Sequence, residues 1–244
     1  MRARKVLTAW IAAAVLAAGA AFGAEVSVTT GAGYKPMLES LAKEYRNAGG
    51  EIQEVYGGHI GQMLMQIAQG SGVAVLVSDE GSLNAMNQGV EFGEVAPLGD
   101  TVLVLAWRKG LNLEKPQDLE KDAFRSVTMP DAKAAIYGRA AAAFLESSGI
   151  GAKIKDKLSV VSSVPQVFAY LVSGEMDAGF LNRVMILKGG DKLGGWMEIE
   201  DGYPPLNMVA AVVKGQEKDP EVVKFLSFLR SDAGKEILKQ FGIW

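Results

Sequence analysis

The chain has 244 residues, no cysteine, one histidine and a formal net charge of −3. Disulfides and thiolate metal sites are excluded, as is any metal site built on several histidines. The weak net charge supplies no basic field for nucleic acid, and the length suits one large domain or two small lobes.

The opening "MRARK" carries three positive charges and leads into the apolar run "VLTAWIAAAVLAAGAAF", after which small residues follow. This is the order of a secretory leader, so residues 1–24 are read as a cleaved signal peptide. Cleavage after Gly23 puts Ala21 and Gly23 at the small-residue positions; cleavage after Ala24 is the alternative. The run is short for a spanning helix. No second stretch is long enough to span, so the mature chain is expected to be exported to the periplasm in soluble form.

Strands and helices then alternate. "EVSVTT" (25–30) is a β-branched strand, and 36–47 places Met37, Leu38, Leu41, Ala42 and Tyr45 at helical spacing behind Pro36. "EIQEVYG" is a strand, "GQMLMQIAQG" a helix, "GVAVLVS" (72–78) a buried strand and "GSLNAMNQG" a short helix. Repeated strand-then-helix order predicts mostly parallel sheets in an α/β fold. "DTVLVLAWRKG" (100–110) reads as one long strand, and "KPQDL" as a turn into a short helix. "SVTMPD" and "LSVVSSV" are strands, each followed by a helix, "AIYGRAAAAFLESSG" and "PQVFAYLVSG". "DAGFLNRVMI" begins as a strand, "PPLNMVAAVVKG" is a returning strand, and two helices close the chain. The expected division is lobe one from 25–103 with 208–244 and lobe two from 104–207, with a ligand cleft between them.

Four loops stand where a strand gives way to a helix: "TTGAGYKP", "YGGHIGQ", "MPDAKAAIYG" and "SSVPQ". Ligands of open α/β sheets bind outside the carboxyl ends of the strands. Helix starts there present unpaired N–H groups and partial positive charge, so several around one cleft make an anion site without Lys or Arg. The one histidine, His59, lies in the second loop. It is a proton donor to an anion, a metal ligand with oxygen partners such as Tyr34, Tyr137 or Asp131, or a histidine packed on the cleft wall. Tyr34 and Tyr137 are read chiefly as aromatic packing at helix starts. "SDE" at 78–80 is read as a helix cap containing Asp79, and Arg183 as an exposed arginine.

With these segments in view, the chain resembles the periplasmic molybdate-binding proteins, the solute-capturing components of ABC transporters. "VSVTTGAGYKPMLESLAKEY", "YGGHIGQMLMQIAQG" and "VLVSDEGSLNAM" are similar to that family's first loops and helices. "SSVPQVFAYLVSGEMDAGFL" and "FLSFLRSDAGKEILKQFGI" are similar to its later segments. The resemblance implies the two-lobed periplasmic binding protein fold, no enzymatic activity and no cofactor. The implied partners are a small anionic ligand and a membrane ABC permease, with the protein a monomer. It places backbone N–H donors at Ala134 and Val164. It sets the family's first-loop serine at Gly33, its second-loop serine at Gly58 or His59, and its tyrosine at Asn182. Thr30 is a candidate for the hydroxyl missing at Gly33, or simply the end of a strand. The ligand implied is molybdate or tungstate, captured by lobe closure. Alternatives on the same fold are another anion, a metal ion, a small organic acid, or a sensing role at a membrane receptor.

Overall fold

The computed structural model describes residues 25–244 except 57, 87 and 88, so the leader read at 1–24 lies outside the described residues. In chain order the strands are β1 (Val26–Thr30), β2 (Ile52–Val55), β3 (Val75–Asp79), β4 (Phe92–Thr101), β5 (Leu103–Trp107), β6 (Val127–Pro130), β7 (Leu158–Val161), β8 (Ala178–Asn182), β9 (Gly195–Ile199) and β10 (Leu206–Val213). The helices are α1 (Lys35–Asn47), α2 (Ile60–Ala68), α3 (Glu80–Ala85), α4 (Ile136–Ser147), α5 (Ile150–Lys153), α6 (Val164–Ser173), α7 (Arg183–Gly189), α8 (Pro220–Arg230) and α9 (Asp232–Gln240).

The strands form two five-stranded sheets, ordered β2-β1-β3-β10-β4 and β7-β6-β8-β5-β9. Within each sheet four strands point one way. The fifth is β10 in the first and β5 in the second, and each pairs antiparallel on both sides. The remaining pairs are parallel. The sheets are therefore mixed by pairing although mostly parallel by direction. The interior strands β1, β3, β5 and β8 are buried at every residue. Both their faces are covered, and β5 accordingly reads as an unbroken apolar run, while the others carry buried polar residues, chiefly toward their carboxyl ends.

The stretch 100–110 is not one strand. β4 ends at Thr101, paired with Leu206 in the first sheet; β5 starts at Leu103, paired with Asn182 and Ile199 in the second. Val102 alone carries the chain across, and the return runs between Ile199 and Leu206. Tyr203 pins the two crossings together, its hydroxyl accepting from the Leu103 N–H at 2.9 Å and donating to the Ile199 carbonyl. β4 and β9 were not anticipated. Both are edge strands with mixed burial, and the Gly93, Pro97 and Gly99 of β4 imitate turn chemistry.

Helix α1 buries Met37, Leu38, Leu41, Ala42 and Tyr45 on one face. The Tyr45 ring packs against Phe225 and Phe228 of α8, with centroids 5.3 and 5.2 Å away. Such aromatic pairs contribute about 0.5–1.5 kcal/mol each beyond their buried area. Gly50 ends this unit because a Cβ there would stand 2.3 Å from the Tyr45 ring.

In the second sheet Asp177 ties β8 to its surroundings. Its carboxylate accepts from Arg108 Nε at 2.7 Å and from the Arg125 and Ser126 N–H groups at 2.7 and 3.1 Å. Burial alone would raise this carboxyl, but Arg108 and the two amides outweigh it and hold Asp177 below its ordinary value. The unfolded chain therefore takes up the proton first on acidification. The stabilisation is complete above the ordinary carboxylate range and is lost as pH falls through the depressed native value. Asp177→Asn should lower the unfolding free energy at pH 7 by about 2–3 kcal/mol, read by urea denaturation. The difference from the parent should shrink below about pH 4.

Candidate functional site

Each of the four anticipated loops leaves the carboxyl end of a strand and starts a helix. Residues 31–34 join β1 to α1, 56–59 join β2 to α2, 131–135 join β6 to α4, and 162–163 join β7 to α6. The first two belong to the first sheet and the last two to the second. They enclose one cavity of about 280 Å³, lined by Gly31 to Tyr34, Gly58 to Ile60, Gln62, Ala134 to Tyr137 and Ser162 to Val164. Among the described residues no Lys, Arg, Asp or Glu lines it.

His59 is exposed at the start of α2, with extended backbone. Its Nδ1 accepts from the Gln62 N–H at 3.3 Å. A neutral ring whose Nδ1 accepts carries its hydrogen on Nε2, so the other edge is a donor. Gly58 has φ +94°, and a Cβ there would lie 2.7 Å from Gln62 Oε1. Gly33 is crowded from behind: a Cβ would lie 3.1 Å from Asn182 Nδ2 and 3.5 Å from Val164 Cβ.

On the opposite wall the Ala134 N–H, expected to be a free donor, is spent on the Asp131 carbonyl at 3.1 Å, and Ala135 donates to the same oxygen at 2.9 Å. The open N–H groups of that loop are one turn further on, at Ile136 and Tyr137, the first residues of α4. Val164 opens α6 in the way expected, with Pro165 behind it.

Tyr34 and Tyr137 meet across the cavity. Their hydroxyls are hydrogen-bonded to each other, and Tyr137 Oη also bonds Thr101 Oγ1 at 3.2 Å. Burial pushes both phenols above their ordinary value, strongly so for Tyr34 with Tyr137 beside it, so both remain neutral at physiological pH. Reading them mainly as packing understated them. The sequence carried no sign that the two rings, 103 positions apart, would join hydroxyl to hydroxyl.

Gly33, Gly58, His59, Ala134 and Val164 thus line one cavity; Thr30 and Asn182 do not. Thr30 is buried in the sheet and its hydroxyl donates to the Val77 carbonyl at 2.9 Å. Asn182 is fully buried and caps α7, its Oδ1 accepting from the Met185 N–H at 3.1 Å. Its Nδ2 donates to the Gly33 carbonyl at 3.2 Å, so it braces the site from the second sheet. Asp79 caps α3 through the Ser82 N–H and pairs with Arg139 at 2.8 Å. Arg183 lies between the Trp196 and Trp244 rings and pairs with Glu198, away from the cavity lining.

Two mixed sheets, joined by strands that cross and return, with neutral helix starts around a cavity between them, form the two-lobed fold of solute-binding proteins. Residues 26–243 match the family described as bacterial extracellular solute-binding protein, and the chain belongs to that family; it is a binding protein and not an enzyme. The molybdate-binding protein ModA of Azotobacter vinelandii is 26% identical over 236 residues, covering 93% of this chain and 92% of its own. The protein of the same name from Rhodobacter capsulatus is 26% identical over 234 residues, covering 93% and 90%. The solved periplasmic molybdate-binding protein of Azotobacter vinelandii shares the fold with a TM-score of 0.79. Its identity is 24%, over 90% of this chain and 99% of that one.

Because Asn182 holds both α7 and the Gly33 carbonyl, Asn182→Ala should destabilise the protein by about 1–2 kcal/mol. Asn182→Asp should keep the cap and recover part of the loss, both read as shifts in the denaturant midpoint.

Proposed function

We propose that the mature chain captures a small tetrahedral oxyanion, molybdate or tungstate, in the periplasm and delivers it to the membrane permease of an ABC transporter. The observation that carries this is the neutral cavity on which helix starts from both sheets converge. Helix N-termini supply partial positive charge and open N–H groups to an anion without a counter-ion. Named donors are the N–H groups of Gly33, Ile136, Tyr137 and Val164, with Nε2 of His59. Gly58 gives the second loop the left-handed turn it needs to reach the cavity.

The absence of lining carboxylates narrows the anion class. A protonated oxyanion needs an acceptor for its hydrogen, and among the described residues no acidic side chain lines the wall. A fully ionised dianion fits better than phosphate, which keeps a proton on part of its population near neutrality. Two relatives named for molybdate binding support the choice within that class. The cavity is also small, at the low end of the about 300–1,000 Å³ typical of drug-sized ligands.

Capture proceeds by closure of lobe one (25–101 with 206–244) on lobe two (103–199), turning at Val102 and at 200–205; the boundaries expected at 103 and 208 shift because Leu103 pairs in the second sheet and Leu206 in the first. Secretion follows from the leader-like residues 1–24, and the protein works as a monomer. Among the described residues no helix is long and apolar enough to cross a membrane.

Titration calorimetry of the mature protein should show one site for molybdate and tungstate, with phosphate much weaker at pH 7. Absence of heat with both metal oxyanions would refute the assignment. His59→Ala should weaken the bound anion about 10-fold or more, the scale of a hydrogen bond to a charged group.

A further inference from the structure

We infer that the Ser163 hydroxyl is a direct donor to the bound anion, a role that rests on the oxyanion reading above. A serine just before a helix ordinarily spends its side-chain oxygen on the N–H of the second or third helical residue. Ser163 does neither. The second residue of α6 is Pro165, which has no N–H, and the third, Gln166, donates to the Ser163 backbone carbonyl at 3.1 Å. Its side chain makes no capping bond. It is half-buried on the cavity wall, next to the open Val164 N–H.

The other hydroxyls on that wall already have protein partners. Ser162 Oγ donates to Gln166 Oε1 at 2.9 Å, and Tyr34 and Tyr137 bond each other. The facing wall cannot supply a hydroxyl at its two glycines. At 33 the neighbour that would have to give is Asn182, which is anchored at both ends of its amide. At 58 the positive φ disfavours any side chain, and Gln62 Oε1 occupies the space. First-sheet recognition then rests on backbone N–H groups, the His59 ring and the Gln62 side-chain amide. Ser163, on the second-sheet side, supplies the hydroxyl, so the ligand must present oxygens to both walls at once. A tetrahedral oxyanion does so.

The test compares the parent mature protein with Ser163→Ala and Ser163→Thr by calorimetry with molybdate, tungstate and sulfate, alongside thermal unfolding without ligand. Ser163→Ala should raise the dissociation constant about 10- to 100-fold and leave the ligand-free unfolding midpoint unchanged, since the hydroxyl holds nothing in the protein. Ser163→Thr, which suits the extended backbone there, should bind within a few-fold of the parent. Parent-like binding by Ser163→Ala overturns the serine assignment alone. So does a clear fall in its ligand-free midpoint, which would make the hydroxyl structural. A parent that gives no heat with any of the three anions overturns the oxyanion reading, and this assignment with it.

Discussion

The first N–H groups of a helix have no carbonyl behind them to receive their hydrogens. The architecture gathers these unpaired donors instead of dispersing them. Helices α1, α2, α4 and α6 all follow the carboxyl ends of strands, two on each sheet, and the first turns of α2, α4 and α6 share one cavity with the single 3-10 turn Ala32–Tyr34 ahead of α1. This makes a wall without formal charge able to hold a charged guest. It also explains the loop composition. Gly33 sits where a Cβ would press on Asn182, and Gly58 where a positive φ favours glycine.

Contacts between the sheets hold that arrangement. Tyr34 meets Tyr137, Asn182 supports the Gly33 carbonyl, and Asp79 pairs with Arg139. The ion pair is incomplete: Asp79 Oδ1 and Arg139 Nη1 are buried without partners. Removing such atoms from water costs more than a single ion-pair contact returns unless every remaining site is satisfied. The pair therefore orients α4 against α3 more than it adds stability. The crossings at Val102 and at 200–205 are short, and the Tyr203 hydroxyl holds the return crossing to the facing ends of β5 and β9.

The fold was largely legible because its interior strands are mostly apolar and its helices carry a clear buried stripe. What escaped was edge structure. β4 and β9 lie at sheet margins, where alternation is weak, and the break at Val102 is invisible in a run that stays apolar through both sheets. The four loops of the site were legible from strand-to-helix order together with glycine. Individual donors were less so. Ala134 N–H turned inward to Asp131, and Thr30 and Asn182 were spent on the protein itself, because a polar side chain near a site satisfies the nearest backbone group first. Ser163 went unread because the clue is negative: proline at the second helical position removes one of the two N–H groups a capping serine would use.

The line of hydroxyls from Thr101 through Tyr137 to Tyr34 can be counted. Three O–H groups share two hydrogen bonds, so one hydrogen is left over. It belongs either to the Thr101 end, in the crossover, or to the Tyr34 end, on the cavity wall. Reversing the line moves it from one to the other with no change in heavy-atom positions. The same heavy-atom frame therefore supports either polarity of a line whose three hydroxyls come from both halves of the fold.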